Sequence, residues 1–285
     1  MKQNDVNNQI TLEQLEERYE HLGIEDDFIF AKIMQDKLLC VRLLELLTGN
    51  TIDDVENIVV QKSVKVTNDS KGIRYDVYVD DGQNRIYDAE TQNKTSKVKE
   101  LPRRSRFYQE MLDLNELEKD EHYMDLKDSY VIFICTYDPF KENLCCYSFS
   151  NVCAEKNNLL LDDGRNILFF NTKGDRENTT KEIAEFLDYV ENRNVSGSFT
   201  QQLDDAVKKA RKNKEWKVEY MKTSLHDMDV KREGFLEGRE ESIRILVETC
   251  KSLNQTYEYT VNRIMESYSL DFQESVNKVD LYWNK

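Results

Sequence analysis

Gly72-Ile-Arg-Tyr-Asp-Val-Tyr-Val-Asp-Asp-Gly-Gln-Asn-Arg-Ile-Tyr-Asp-Ala-Glu-Thr-Gln92 is the stretch from which the fold can be read. Residues 73–80 are β-branched or aromatic at most positions, and Ile86 and Tyr87 continue that character. Asp81-Gly82-Gln83-Asn84 between them is a turn composition, so the stretch predicts a β-hairpin. With Asp80 paired to Ile86, the loop at 81–85 has a common hairpin length, and Asp76 falls opposite Glu90. Strand side chains alternate with a period of two, which places Asp76, Asp88, Glu90 and Gln92 on one face. Directly opposed residues have Cβ atoms about 5 Å apart, and like charges there destabilise a hairpin unless something binds between them. Two carboxylates so placed can share a divalent cation with oxygens at roughly 2.1 Å. A one-residue slip of register would separate them. The plain alternative is that these acids point to water, as most strand acids do.

Outward from the hairpin, the chain alternates helical and strand patterns. Residues 10–22 read as a charged helix. Residues 25–48 read as a helix that Glu25-Asp26-Asp27 can start, with Phe28, Phe30, Ile33, Met34, Leu38, Leu39, Leu43, Leu44 and Leu47 near helical spacing, stopped by Gly49-Asn50. Residues 55–67 read as the first strand. Residues 100–118 form an amphipathic helix with Pro102 in its first turn. Ser129–Tyr137 is a continuous apolar run and predicts a buried strand. Residues 143–150 and 166–171 read as a further strand pair. Helices are expected over 178–193, 199–221 and 223–252, and a two-helix tail over 256–285. The division expected is an N-terminal helix (1–22), a core (23–176), a helical extension (177–252) and a small helical tail (253–285). Gly234 and Gly238, four apart in the last long helix, predict close packing against another helix, for instance that of a second subunit.

Composition narrows the function classes. A chain of 285 residues with 39% hydrophobic content, 12 Phe and 15 Tyr can bury a sizeable core. The N-terminus lacks an apolar leader, and no apolar run is long enough to span a bilayer, so no membrane association and a cytoplasmic location are expected. The six cysteines form no Cys-x-x-Cys pair and the three histidines are isolated, which argues against zinc. Cys40 and Cys135 lie in apolar runs and read as small core residues. The net charge of −15 is opposite to the usual nucleic-acid footprint. The charge is patchy, however. Residues 94–106 carry Lys94, Lys97, Lys99, Arg103, Arg104 and Arg106 against Glu100 alone, beginning two residues after Gln92. Residues 207–217 are also basic, through Lys208, Lys209, Arg211, Lys212, Lys214 and Lys217, and read best as a solvated helix face.

Four pieces taken in order carry a resemblance: Asp27-Phe-Ile-Phe30, Arg74-Tyr-Asp-Val-Tyr-Val79, Asp88-Ala-Glu-Thr-Gln92 and Leu101-Pro-Arg-Arg-Ser-Arg-Phe-Tyr108. Together they resemble the Rpn-type, transposase-related branch of the PD-(D/E)XK nucleases, over roughly residues 24–240. The Glu-Gly pairs at 233–238 are similar to that family's C-terminal arm. The resemblance implies an α/β fold: a restriction-endonuclease-like αβββαβ core with a mixed central sheet, followed by a helical arm. It implies a metal-dependent DNA endonuclease, a hydrolase of phosphodiester bonds linked to DNA recombination, with Mg²⁺ or Mn²⁺ as cofactor. Asp76, Glu90 and Gln92 match the family's catalytic positions. Asp76, Glu90 and the main-chain carbonyl of Thr91 would be the metal ligands. Gln92 stands where the superfamily usually has lysine; an amide can hydrogen-bond a water but brings no charge.

Four further residues are candidates. Asp27 is either a helper carboxylate or a helix cap. Arg104 and Tyr108, one helical turn apart, can face a phosphate together with Arg103, or serve packing and solvent roles. The partners expected are DNA and a second copy of the chain through the helical arm. The competing reading is an inactive nuclease fold acting as an interaction or assembly module, and RNA is a third substrate class on which the sequence is silent.

Overall fold

The structure, a computed structural model, describes residues 10–53, 55–65, 71–93, 95–117 and 120–283, with side chains omitted at 95–97. Lys94 and residues 66 and 67 of the expected first strand therefore lie outside the described residues. The chain divides into two compact units, 20–216 and 1–19 together with 217–285.

The unit 20–216 is built on a six-stranded mixed sheet of order β1-β2-β3-β4-β6-β5. The strands are β1 (Asn57–Val64), β2 (Ile73–Asp80), β3 (Arg85–Gln92), β4 (Asp128–Cys135), β5 (Cys146–Phe149) and β6 (Arg165–Asn171). β1, β2 and β3 form an antiparallel meander; β4 joins β3 in parallel, β6 joins β4 in parallel, and β5 closes the far edge antiparallel to β6. β4 is buried at every position from Val131 to Cys135, in keeping with its continuous apolar run in the parallel part of the sheet.

The helix expected over 25–48 is two helices, α2 (Asp27–Ile33) and α3 (Lys37–Thr48), following α1 (Leu12–His21). The break is chemical: Asp36 caps α3, its carboxylate accepting from the Leu38 and Leu39 amides at 3.0 and 3.2 Å. Asp26, one position earlier than expected, caps α2 and accepts from the Phe28 amide at 3.1 Å. Gly49 ends α3 at φ 73°. A 3₁₀ turn (Thr95–Glu100) leads into α4 (Leu101–Glu116), which places Leu101, Tyr108, Met111 and Leu112 in one cluster with Tyr78, Ile86, Val131, Phe133 and Cys135 of the sheet. α5 (Lys181–Asn192) and α6 (Ser198–Lys212) complete this unit. The expected helix 199–221 ends early, at Lys212, because the Asn213 side chain accepts from the Glu215 and Trp216 amides and starts the next helix.

That helix, α7 (Lys214–Ser252), runs on for 39 residues. In the unit formed by 1–19 and 217–285, its last turns pack with α8 (Tyr257–Tyr268) and α9 (Phe272–Trp283) through Ile243, Val247, Val261, Ile264 and Val279. Near its start, Tyr220 meets Tyr19 of α1 with ring centroids 5.5 Å apart, and Lys217 pairs with Glu16 at 3.1 Å. Gly234 and Gly238 do not make the close packing expected of them within the chain: a Cβ at either would meet no atom within 4 Å. Among the described residues no helix is long and apolar enough to cross a membrane.

Candidate metal centre

The hairpin register is fixed by its turn. The Asp81 carboxylate is buried and accepts from the Gln83 and Arg85 amides at 2.8 and 2.9 Å, while Asp80 accepts from the Gly82 amide at 3.0 Å. Gly82 and Asn84 take the left-handed conformations that the tight loop requires, at φ 64° and 82°. The ladder then runs Asp80↔Ile86, Val79↔Tyr87, Tyr78↔Asp88 and Val77↔Ala89. One step further along the two strands stand Asp76 and Glu90. The Thr91 amide bonds the Asp76 carboxylate across that step.

The strand pairing has two irregularities, and both fall at Asp76: the β2–β3 ladder stops at Val77↔Ala89, short of Asp76 and Glu90. On the other side of β2, the pairs Val60↔Val77 and Lys62↔Tyr75 are made and the one between them is not. The missing partner is Gln61, whose φ is 53°, a costly conformation for a residue with a Cβ. The sense of the side chains changes at the same place: Tyr75 and Tyr78, odd and even, both lie in the cluster under α4. Strict alternation therefore breaks at Asp76, and β2 turns about its axis where the first carboxylate is presented.

Glu90 and Asp88 are wholly buried, and Asp76 is 8% exposed. Glu90 meets the side chains of Arg104, Gln92 and Tyr108. The Arg104 guanidinium forms a short ion pair with Glu90 Oε2, and Gln92 Nε2 donates to the same oxygen at 3.3 Å. Arg104 also donates to Gln92 Oε1 at 3.0 Å and to the Tyr108 hydroxyl at 2.8 Å. Its carbon Cζ lies 4.9 Å from the Tyr108 ring centroid and 5.5 Å from that of Phe133. Tyr108 is braced by Tyr75, which packs edge-on at 5.6 Å and donates to the Tyr108 carbonyl at 3.3 Å.

Burial governs the electrostatics. It pushes Asp76 up to about 7, with the Asp27 charge adding and Arg74 and Arg104 opposing. Burial, then Asp76, raises Glu90 well above the usual carboxylate range, against the pull of Arg104. Burial, then Glu90 and Asp76, does the same to Asp88. Three oxygens in this cluster are buried with no hydrogen-bond partner: Glu90 Oε1 and both oxygens of Asp88. Such orphaned acceptors are costly, and a hard cation with oxygen ligands suits them. Among the described residues no three His, Cys, Asp or Glu side chains converge closely enough to hold a metal by themselves.

The structure gathers most of the groups singled out in the sequence. Glu90, Gln92, Arg104 and Tyr108 form one contact network, while Asp76, held by the Thr91 amide, and exposed Asp27, the first residue of α2, act on Glu90 through their charges. Arg103 is exposed and is not among the groups touching Glu90 or Gln92. Three features escaped sequence reasoning: the complete burial of Asp88, the backbone turn at Gln61 and Asp76, and the engagement of Arg104 with Glu90. For the last, the pairing of Arg104 and Tyr108 at i, i+4 was the available signal. A groove of about 620 Å³ lined by Lys32, Asp36, Leu39, Lys209 and Trp216 lies elsewhere, and none of the site residues lines it. Comparison of the chain with protein-family models, with curated proteins and with solved structures gives no match.

Proposed function

We propose that the chain is a metal-dependent nuclease of the PD-(D/E)XK kind, with Asp76, Glu90 and Gln92 as its catalytic residues. The observation that carries this reading is the buried pair Asp76 and Glu90 on adjacent strands, close enough that the Asp76 charge raises Glu90, with an unpartnered oxygen on Glu90. The surrounding order of elements supports it: α2 and α3, three antiparallel strands, α4, then β4 in parallel beside β3. That is the αβββαβ order expected of a restriction-endonuclease-like core.

Asp76, Glu90 and the Thr91 carbonyl would hold Mg²⁺ or Mn²⁺. When bound, such an ion lowers the acidity barrier of a water and neutralises charge on a phosphoryl group under attack. The protein's own residues do the rest. The Thr91 amide fixes the Asp76 carboxylate, and the hairpin turn sets the register of the strands that carry it and Glu90. Arg104 and Arg103 supply positive charge for a phosphate backbone, and Asp27 stands at the rim as a helper carboxylate. DNA is the substrate of this reading, with a role in recombination, a cytoplasmic location and a homodimer through the helical arm as its further parts.

Plasmid nicking in Mg²⁺ or Mn²⁺ tests it. Asp76→Asn and Glu90→Gln each lower cleavage by two orders of magnitude or more on this reading, a loss typical of removing a metal ligand (~10² or above). Cleavage that survives both changes sinks it. One observation favours a second reading, an inactive nuclease fold used for assembly: Glu90 and Gln92 are already engaged by a resident cation, Arg104. A wild-type protein that neither cuts nor binds metal would establish that alternative.

A further inference from the structure

Arg104 joins groups that the nuclease reading needs free. Gln92 has both ends of its amide committed, Oε1 to Arg104 and Nε2 to Glu90. In this arrangement Arg104 and Glu90 fix the amide's orientation, leaving one lone pair on Oε1 and one N–H on Nε2. Glu90 Oε2 takes both the guanidinium and the Gln92 amide, while Glu90 Oε1 has no partner. The guanidinium therefore neutralises one end of an acidic cluster that would otherwise be buried without a counter-charge.

The side chain that does this is able to leave. Arg104 is 28% exposed, whereas Glu90 is not exposed at all. Its helix is held by other residues, Leu101, Met111 and Leu112 in the core and Tyr108 braced by Tyr75, so α4 can stay while the arginine moves. A guanidinium and a divalent cation on one carboxylate repel each other strongly in a low-dielectric site. A phosphate offers the guanidinium two oxygens for a bidentate pair, in place of the single Glu90 oxygen and the Gln92 amide oxygen it gives up.

We propose that Arg104 is a stand-in cation that clamps Glu90 and Gln92 while no metal is bound, and passes to a phosphate oxygen when a divalent ion takes Glu90. The proposal rests on the metal-dependent nuclease reading and adds to it a coupling: metal and phosphate strengthen each other's binding because each relieves Arg104 of one partner. Linkage makes that coupling reciprocal. Release of Arg104 also removes the guanidinium from Gln92 Oε1, so the amide can turn toward a water once both ligands are present.

The experiment is a titration of the full chain with Mn²⁺, without nucleic acid, read by calorimetry and by the electron spin resonance of free Mn²⁺. Arg104→Gln keeps a hydrogen-bonding side chain and removes the charge. It is expected to bind Mn²⁺ about tenfold more tightly than wild type, within the range common for coupled sites. Arg104→Lys keeps the charge and stays near wild type. Glu90→Gln abolishes the binding in either background. A phosphorothioate oligonucleotide that resists cleavage tightens Mn²⁺ binding by wild type by a similar factor and leaves Arg104→Gln unchanged. This last comparison, on wild type alone, decides the matter if Arg104→Gln does not fold. Wild-type binding that depends on Glu90 but is unaffected by Arg104→Gln and by the oligonucleotide overturns the coupling and leaves the nuclease reading standing. Absence of Mn²⁺ binding in both proteins overturns both. Binding by Arg104→Gln alone supports the coupling in its strongest form.

Discussion

At the scale of single residues, the site is an arrangement of carboxylates that the fold holds against their own preference. Asp76 has an ordinary value near 3.8 and is pushed up to about 7 by burial and by the Asp27 charge. The folded chain holds that proton more tightly than the unfolded one. Its contribution to stability is therefore complete below about pH 4 and is lost as pH rises through about 7, and the loss is of the order of 4 kcal/mol. Asp76→Asn keeps an acceptor for the Thr91 amide and removes the titration. The variant is expected to be more stable than wild type at pH 8 without divalent ions, with the difference closing towards pH 4. Urea unfolding of both proteins across this range checks it; a difference independent of pH would refute the account. Asp88→Asn removes a fully buried carboxyl that burial, then Glu90 and Asp76, hold well above the usual range, and the variant is expected to gain on wild type as pH rises, by about 1–3 kcal/mol. A thermal midpoint lower than that of wild type would show that Asp88 has a partner that matters. The period of two that placed Asp76 on the face of Glu90 fails where alternation breaks at Asp76, whereas the acids themselves and the turn were legible in the sequence. The burial of Asp88 was not, since it depends on β4 and α4, which arrive from 10 or more residues further on.

At the scale of elements, the hairpin turn governs the site. Asp81 is a loop residue by sequence, yet its buried carboxylate accepts two amides, and the Tyr87 hydroxyl reaches its other oxygen at 3.4 Å. Asp81→Ala leaves those amides unsatisfied and is expected to cost about 2–3 kcal/mol. Because a slip of one residue separates Asp76 from Glu90, cleavage is expected to fall further than stability does, at a temperature where the variant remains folded. Denaturant melts paired with plasmid nicking measure both; activity retained in full would show that the register is held elsewhere. The register was readable from Asp80, Ile86 and the length of the loop. The turn of β2 at Asp76 was not, because Gln61 carries no signal of its left-handed backbone: glycine or asparagine would have announced it, and glutamine does not. For the same reason the α2–α3 break passed as one helix. The apolar residues on both sides keep helical spacing, and Asp36 stops the first helix by capping the second.

At the scale of the whole molecule, α7 poses the question that the sheet does not. From 222 to 238 its residues are exposed, apart from partial cover at Ser224 and Met228, with Val230, Phe235 and Leu236 at 53, 47 and 45%. Within this stretch Gly234 and Gly238 each cost up to about 1 kcal/mol of helix relative to alanine. A helix without tertiary cover is marginal, since most helical stability comes from packing one face. The ends of α7 have that cover, near Tyr220 on one side and at Ile243 and Val247 on the other. Opening is therefore expected in the middle and not at the ends. Brief trypsin treatment at low protein concentration should cut first at Lys222, Lys231 or Arg232, well before any site in the sheet unit 20–216. The amino-terminal product would still contain every residue of the candidate centre, from Asp27 to Tyr108, and is expected to keep the Mn²⁺ affinity of the intact chain. Mass spectrometry of the products and calorimetry on the purified fragment give the answer. Protection of all three bonds that rises with protein concentration would show instead that a second copy covers α7, and would place the homodimer contact on Phe235 and Leu236.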